Sequence, residues 1–188
     1  MKIFDSFAPE AVEMLKNGGV GIIPTDTVYG LVGQLFNQAA VERMYDLKDR
    51  PGDKPVGTIL FSDPTQIEAI VPPDDLLRAE VYWPGPTSVI LETGNQLRYA
   101  CRGWHSLPFR VPGIASLRNL IAETGPLAIT SANIAGRTTA STVQDAMSIF
   151  RESVDFYVDG GDLSGRVPSK IIKFNKNGEA TIIRGDTK

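Results

Sequence analysis

Residues 21–31 read Gly21-Ile22-Ile23-Pro24-Thr25-Asp26-Thr27-Val28-Tyr29-Gly30-Leu31. The apolar run from Val20 to Ile23 predicts a buried strand, because β-branched residues suit a pleated surface that is packed on both faces. Pro24 ends this strand, since proline has no backbone N–H to donate to a sheet. Three short oxygen-bearing side chains follow at once: Thr25, Asp26 and Thr27.

These polar side chains are predicted to lie at the carboxyl end of the strand. In an open α/β sheet, ligands bind in the crevice beyond such strand ends. The alternative is a turn in which Asp26 and the two threonines satisfy only local backbone donors. A second predicted buried strand, Leu127 to Thr130, also ends in a polar cluster, Ser131-Ala132-Asn133. Two such ends favour a ligand site.

The composition is that of an ordinary globular protein, with 42% apolar and 22% charged residues among 188. This length predicts one domain, residues 1–188. The net charge of −3 argues against a generally basic nucleic-acid coat but leaves a local basic patch open. With Cys101 as the one cysteine, no internal disulfide can form, which favours a reducing, cytoplasmic location.

Membrane and metal sites are not expected. No apolar run approaches the length of a membrane span, and the first residues do not form a signal peptide. One histidine and one cysteine argue against a zinc site, so we predict no metal site formed by protein ligands.

Helices and strands alternate irregularly along the chain, which predicts a twisted, open, mixed α/β sheet with flanking helices. The predicted helices are Pro9–Asn17, Asn37–Asp49, Thr65–Val71, Pro73–Tyr82, Ile114–Glu123 and Thr142–Phe150. The other predicted strands are Pro55–Phe61, Thr87–Leu91, Phe109–Val111, Val154–Val158, Lys170–Phe174 and Ala180–Ile183.

Two cations lie at the end of the second predicted helix. Lys48 continues the apolar stripe of Val41 and Met44, so it is expected on the buried face, and Pro51 disfavours helical geometry at Arg50. One interpretation is that both cations complement the helix dipole. The other is a polyphosphate site, which needs a point charge, a guanidinium fork and neutral hydroxyl or amide donors.

The segment from Thr93 to Ala122 contains no Asp or Glu but four arginines: Arg98, Arg102, Arg110 and Arg118. This is either chance clustering on a solvated face or an anion site for a small carboxylate, a phosphate or an RNA backbone. Arg110 lies within a short apolar strand, so we expect it to be partly buried and to need a fixed anionic partner.

Two common catalytic motifs are missing from the sequence. Neither Gly18-Gly19 nor Gly160-Gly161 has the spacing and following lysine of a Walker loop, and there is no G-x-S-x-G nucleophile elbow. The sequence therefore predicts neither a Walker-type phosphate loop nor an activated serine nucleophile.

The ordered motifs Pro24-Thr25-Asp26-Thr27-Val28-Tyr29-Gly30-Leu31, Lys48-Asp49-Arg50-Pro51 and Ser131-Ala132-Asn133 closely resemble those of the YrdC/Sua5 (TsaC) family. Further matches follow in order at Arg110-Val111-Pro112, Pro168-Ser169 and the Arg184-x-Asp186 region. The resemblance implies a twisted α/β sheet around a large, positively charged central cavity. It also implies a threonylcarbamoyl-AMP synthase, a nucleotidyltransferase that joins L-threonine, bicarbonate and ATP into L-threonylcarbamoyladenylate and pyrophosphate for t6A37 modification of tRNA.

The resemblance also implies roles for individual residues. ATP would be bound by Lys48, Arg50, Lys54, Ser131, Asn133, Ser141 and Arg184, and Mg²⁺ would accompany it. Threonine would be bound by Thr27, Arg110 and Ser169, with Arg110 on the carboxylate. Because transfer to phosphorus depends mainly on positioning and charge stabilisation, Lys48 and Arg50 are the predicted catalytic residues, acting on the departing pyrophosphate.

This chain departs from the family pattern at three sites. Lys54 stands where many members have Asn, and Lys170 replaces the usual Thr after Ser169. No histidine follows Pro55-Val56, where longer members often have one that contacts threonine. It resembles the short, single-domain form of the family.

Two alternatives use the same fold. One is a carbamoyladenylate-handling domain of the hydrogenase-maturation type, and the other is an RNA-binding module for tRNA or double-stranded RNA. A downstream threonylcarbamoyl transferase complex is the further expected partner, and no membrane partner is expected.

Overall fold

Ten strands form one sheet in the computed structural model, which describes residues 1–175 and 177–185. Asp186 of the predicted Arg184-x-Asp186 motif lies outside the described residues. The strands are β1 (Lys2–Phe4), β2 (Gly21–Ile23), β3 (Gly30–Gln34), β4 (Thr58–Leu60), β5 (Thr87–Glu92), β6 (Ser106–Arg110), β7 (Leu127–Ser131), β8 (Phe156–Val158), β9 (Lys170–Phe174) and β10 (Ala180–Arg184).

Six α-helices connect these strands: α1 (Pro9–Lys16), α2 (Gln38–Lys48), α3 (Pro73–Ala79), α4 (Arg98–Cys101), α5 (Ala115–Thr124) and α6 (Val143–Phe150). Short 3₁₀ helices occur at Pro64–Gln66, Glu80–Tyr82 and Asn95–Leu97. The helix caps follow the sequence: Asn37 accepts a hydrogen bond from the Ala40 amide, and Thr142 and Asp145 form a capping box on α6.

The sheet is mixed, in the order β1-β8-β2-β3-β7-β4-β6-β5-β9-β10. β3 is antiparallel to both β2 and β7, so β2 and β7 run in the same direction. Their carboxyl ends therefore lie at the same edge of the sheet, as the sequence predicts. The fold class, a twisted open mixed sheet with flanking helices, is confirmed. The single domain over residues 1–188 stays a prediction.

Hydrophobic residues form two clusters in the protein core. One includes Val41 and Met44 of α2 and Ala146 and Phe150 of α6. The other joins α1 and α5 to strand residues that include Ile23, Val32, Leu60, Leu127 and Ile129. Ile129 also lines a cavity, which therefore opens on the face of the sheet that α1 and α5 partly cover.

Several predicted boundaries were wrong. The strand predicted at Pro55–Phe61 is confined to Thr58–Leu60, and Gly57 before it has a φ of 147°. The helix predicted at Thr65–Val71 is a 3₁₀ turn, Pro64–Gln66, and β1 and β3 were not predicted as strands. The helix predicted at Pro73–Tyr82 changes to 3₁₀ geometry at Glu80.

Candidate functional site

A cavity of roughly 560 Å³ lies on one face of the sheet. Successive side chains of a strand point to opposite faces, so alternate residues of neighbouring strands form its floor. They are Ile129 and Ser131 of β7, Thr58 of β4, Ser106, Pro108 and Arg110 of β6, Ile90 of β5, and Ile171 and Lys173 of β9. The β2–β3 loop, Arg50, Trp104, Ser169, Ile183 and Arg184 also contribute to the lining.

The β2–β3 loop is held by the hydroxyl of Thr25. Thr25 Oγ1 accepts hydrogen bonds from the amides of Thr27 (3.0 Å) and Val28 (3.1 Å). It also donates to the carbonyl of Val28 at 2.7 Å. Tyr29 anchors the end of the loop, because its phenol accepts from Gly160 N and donates to Gly161 O. These bonds give the loop one defined shape.

Thr27 is nearly buried and lines the cavity. Its hydroxyl lies 2.9 Å from Thr25 Oγ1. Either hydroxyl can be the donor in this contact, and in both cases it uses at most one lone pair of Thr27 Oγ1. Thr27 Oγ1 therefore keeps a lone pair that can accept a hydrogen bond from a group in the cavity.

Arg110, at the end of β6, is only 3% exposed and is paired with Asp26 of the loop. Arg110 Nη1 lies 2.6 Å from Asp26 Oδ1, and Gly113 N donates to Asp26 Oδ2. The predicted burial of Arg110 and its fixed anionic partner are both confirmed. Arg110 Nε is sealed from the cavity and has no hydrogen-bond partner among the described residues. Nη2 also makes no hydrogen bond with those residues and is not sealed, so it is the guanidinium nitrogen that can bind an anion in the cavity.

Arg50 reaches the cavity because α2 ends abruptly. Asp49 adopts a left-handed conformation (φ 48°, ψ 46°), and Arg50 N then bonds back to Tyr45 O. Arg50 Nε donates to Pro55 O at 3.0 Å, which fixes the guanidinium beside the cavity. The predicted end of the helix near Pro51 is confirmed.

Lys48 is 2% exposed and does not line the cavity. Its ammonium donates to Ser131 O (2.6 Å), Asn133 O (2.7 Å) and Asn133 Oδ1 (2.7 Å). All three of its protons are therefore engaged in holding the Ser131-Ala132-Asn133 loop. A direct contact between Lys48 and a phosphate would require one of these bonds to be exchanged.

A chain of hydroxyl groups crosses the floor of the cavity. Arg184 Nη2 donates to Ser169 O (3.0 Å) and to Ser169 Oγ (3.2 Å). Ser169 Oγ lies 3.0 Å from the fully buried Ser88 Oγ, and a longer contact of 3.4 Å joins Ser88 to Thr58. Arg184 and Ser169, which the resemblance assigns to ATP and to threonine respectively, are thus in direct contact.

The cavity is electropositive. It is lined by Arg50, Arg110, Lys173 and Arg184, and none of its described lining residues is Asp or Glu. Burial lowers the pKa of Arg50, and burial together with the charge of Arg110 lowers the pKa of Arg184. Burial also lowers the pKa of Arg110, although Asp26 opposes that shift. A bound anion would relieve each of these penalties.

Four residues of the predicted ATP site lie outside the cavity lining: Lys48, described above, and Lys54, Asn133 and Ser141. Lys54 is exposed to solvent, and Asn133 is engaged by Lys48 and Ser131. Ser141 donates to Asp145 Oδ2 at 2.8 Å, at the N-terminus of α6. Thr58, Trp104 and Lys173 also line the cavity and were not predicted from the sequence. Thr58 on β4 and Lys173 on β9 could have been identified from the alternation of side chains between the two faces of a strand, once the strands were aligned in the sheet.

The arginines of the Thr93–Ala122 segment do not share one surface site. Arg102 pairs with Glu42, Arg98 bonds Asn95 Oδ1, and Arg118 donates to the carbonyls of Pro112 and Gly113. Among the four, Arg110 is the one that lines the cavity.

The sequence profile of Sua5/YciO/YrdC proteins, described as “Telomere recombination”, matches residues 13–185. The chain belongs to the Sua5/YciO/YrdC family. The resemblance drawn from the three motifs is therefore confirmed.

Named relatives cover most of the chain. A protein of Pseudoalteromonas translucida named threonylcarbamoyl-AMP synthase is 33% identical, over 93% of this chain and 95% of its own. One of the same name from Marinobacter nauticus is 35% identical, over 82% of this chain and 84% of its own. The solved structure of P. abyssi Sua5 complexed with L-threonine superposes with a TM-score of 0.87 at 25% identity; it covers 98% of this chain, which spans 57% of that protein.

Residues 1–175 and 177–185 contain no group of three or more His, Cys, Asp or Glu side chains placed to hold a metal ion. In the same part of the chain, no helix is long and apolar enough to cross a membrane.

Proposed function

We propose that this enzyme of the Sua5/YciO/YrdC family is a threonylcarbamoyl-AMP synthase. It would form L-threonylcarbamoyladenylate and pyrophosphate from L-threonine, bicarbonate and ATP, as a nucleotidyltransferase acting in t6A37 modification of tRNA. The observation that carries the proposal is the convergence of Arg110, Arg50 and Ser131 on one cavity. The described residues that line this cavity include no Asp or Glu. The names of the relatives support it.

Threonine would occupy the Arg110 half of the cavity. Its carboxylate would take the free hydrogen-bonding capacity of Arg110, a planar fork suited to a carboxylate. Its amino group would donate to the Thr27 hydroxyl, whose oxygen keeps a lone pair for it. Ser169, fixed by Ser88 and Arg184, would complete this half.

ATP would lie in the other half, with its phosphates against Arg50 and the loop of Ser131. Arg50 is the proposed catalytic residue, since its guanidinium lines the cavity and could stabilise the charge on the leaving pyrophosphate. We assign Lys48 a positioning role, because its ammonium holds Ser131 and Asn133 from behind. Arg184 would serve both halves; the contacts of Lys54, Asn133 and Ser141 with ATP stay predictions.

The reaction needs no covalent enzyme intermediate. The amino group of threonine and bicarbonate first form the carbamate N-carboxythreonine, and water is released. A carbamate oxygen then attacks the α-phosphorus of ATP, and the bond from that phosphorus to the oxygen shared with the β-phosphate breaks to release pyrophosphate. The enzyme's contribution is to align the two reactants and to stabilise charge on the phosphoryl oxygens.

Mg²⁺ would enter with ATP. Asp26 of the β2–β3 loop is already engaged by Arg110 and Gly113. The described lining of the cavity contains no carboxylate, so its side-chain oxygens are neutral hydroxyls. Mg²⁺ commonly keeps several waters and binds through substrate phosphates, which fits this set of residues. A cytoplasmic location, binding of tRNA or double-stranded RNA, and transfer of product to a downstream complex stay predictions.

The test is to incubate the purified protein with ATP, Mg²⁺, bicarbonate and L-threonine and to identify the adenylate by mass. Omitting threonine or bicarbonate should abolish both the adenylate and pyrophosphate release. Salt-sensitive RNA binding without threonine-dependent pyrophosphate release would instead support the RNA-binding module.

A further inference from the structure

Trp104 is a large aromatic side chain that remains 58% exposed at the cavity. The other tryptophan, Trp83, is packed edge-on against Phe61 with ring centroids 5.0 Å apart. Ile183, on the far strand of the sheet, is also exposed and also lines the cavity. An exposed indole at a ligand cavity is an apolar surface that a bound molecule can cover.

The indole is held in a fixed orientation. Trp104 Nε1 donates to the carbonyl of Asp53 at 2.9 Å, so the polar atom of the side chain is already satisfied. What the side chain offers a ligand is therefore the flat face of the ring. A ring that is ordered before binding loses little conformational entropy when a ligand stacks on it.

The position of the ring links it to Arg50. Asp53 lies three residues after Arg50 in the loop from Asp49 to Pro55, and Arg50 Nε bonds Pro55 O in the same loop. Trp104 is thereby tied to the segment that carries the cation of the proposed phosphate half. The residues assigned to the threonine half alone include Arg110 and Ser169, which lie at the end of β6 and just before β9.

We propose that Trp104 is a stacking platform for the purine base of the nucleotide. This rests on the proposed function, because it takes the phosphates to lie against Arg50 and Ser131. Base–aromatic stacking is tolerant of base identity, since every base has a π-face. Trp104 therefore strengthens nucleotide binding without by itself selecting adenine over guanine.

The experiment compares two ligands by calorimetry, each with Mg²⁺ and without threonine or bicarbonate: ATP, and inorganic tripolyphosphate, which has no base. Trp104→Ala should weaken ATP binding by about five- to a hundredfold and leave tripolyphosphate binding unchanged. Trp104→Phe should retain most of the ATP affinity because it keeps an aromatic face. Since Trp104 is mostly exposed, both variants should fold, which their thermal unfolding verifies.

Tryptophan fluorescence provides a second readout. ATP should quench the emission of Trp83→Phe, in which Trp104 is the remaining tryptophan, and should not quench that of Trp104→Phe. An unchanged ATP affinity in Trp104→Ala, or an equal loss for ATP and tripolyphosphate, would overturn the platform while leaving the proposed function intact. Failure of the wild-type protein to bind ATP would overturn both.

Discussion

Arg110 Nη1 lies 2.6 Å from Asp26 Oδ1, and the two side chains are 3% and 13% exposed. This ion pair joins β6 to the β2–β3 loop, two parts of the chain separated by 84 positions. It thereby fixes the floor of the cavity to the loop that carries Thr27. A buried pair that is broken by removal of one partner leaves an uncompensated charge.

Asp26→Asn should therefore lower the free energy of unfolding by about 3 kcal/mol, because Arg110 would stay buried without its counter-charge. Urea denaturation measures this change as a shift of the midpoint at unchanged slope. Glu13→Gln is the matched control, since it removes an exposed ion pair: the Glu13 side chain is 65% exposed and that of its partner Lys16 is 42% exposed. That control should change the stability by less than about 0.5 kcal/mol. Equal effects of the two substitutions would show that the Asp26 pair does not stabilise the fold.

Lys48 makes stability depend on pH. Burial, and to a smaller extent the charge of Arg50, lowers the pKa of Lys48 from its ordinary 10.5 to about 8. Between these values the unfolded chain holds a proton that the folded chain has released, so the contribution of Lys48 to stability rises with pH. Below about 8 both states are protonated, and above 10.5 neither is.

Lys48→Met should remove this rise in the free energy of unfolding, which amounts to about 3 kcal/mol between pH 8 and pH 10.5. Urea denaturation of both proteins at pH 7 and about pH 10 measures the difference. Lys54→Met, at an exposed lysine outside the cavity lining, should keep the wild-type pH dependence. If Lys48→Met and the wild type changed in parallel with pH, the lowered pKa would be refuted.

Gly57 precedes Thr58 at the cavity floor and has a φ of 147°, which side-chain-bearing residues rarely adopt. A Cβ at this position would also collide with the carbonyl oxygen of Ile129 on β7. Gly57→Ala should destabilise the protein by about 2 kcal/mol or more, because both the strain and the collision must be relieved by moving β4.

Gly52→Ala is the control for this substitution, since a Cβ there meets no atom within 4 Å. Thermal unfolding should show a lower midpoint for Gly57→Ala and a nearly unchanged one for Gly52→Ala. Equal midpoints for the two variants would mean that the backbone at Gly57 tolerates a side chain.

The sequence predicted the motifs better than the strands between them. β3 was not predicted because Gly30 and Gly33 interrupt the β-branched pattern typical of a strand. Packing disfavours a side chain at both positions: a Cβ at Gly30 would collide with the side chain of Ile129, and one at Gly33 would lie 3.2 Å from Met44 Sδ. These partners are distant in sequence, so no local pattern reveals them.

The burial of Lys48 and Arg110 was predicted correctly, because in both cases the neighbouring residues in the sequence reveal it. The helical stripe of α2 predicted that Lys48 faces inward, and the apolar strand around Arg110 predicted its burial; both are confirmed. The direction of the Lys48 ammonium could not be predicted, because its acceptors Ser131 and Asn133 come from β7 and its following loop. The engagement of Ser141 by Asp145 in the cap of α6 was likewise missed.

In the proposed function, one cavity binds a carboxylate at Arg110 and phosphates at Arg50. Steady-state kinetics of Arg110→Lys and Arg50→Lys tests this arrangement, with Arg98→Lys, at an exposed arginine, as the control. Arg110→Lys should raise the KM for threonine about tenfold or more and change the KM for ATP little, because lysine lacks the fork that binds a carboxylate. Arg50→Lys should raise the KM for ATP and lower kcat, and should change the KM for threonine little. Two variants that both impaired the same substrate, or neither, would contradict this account.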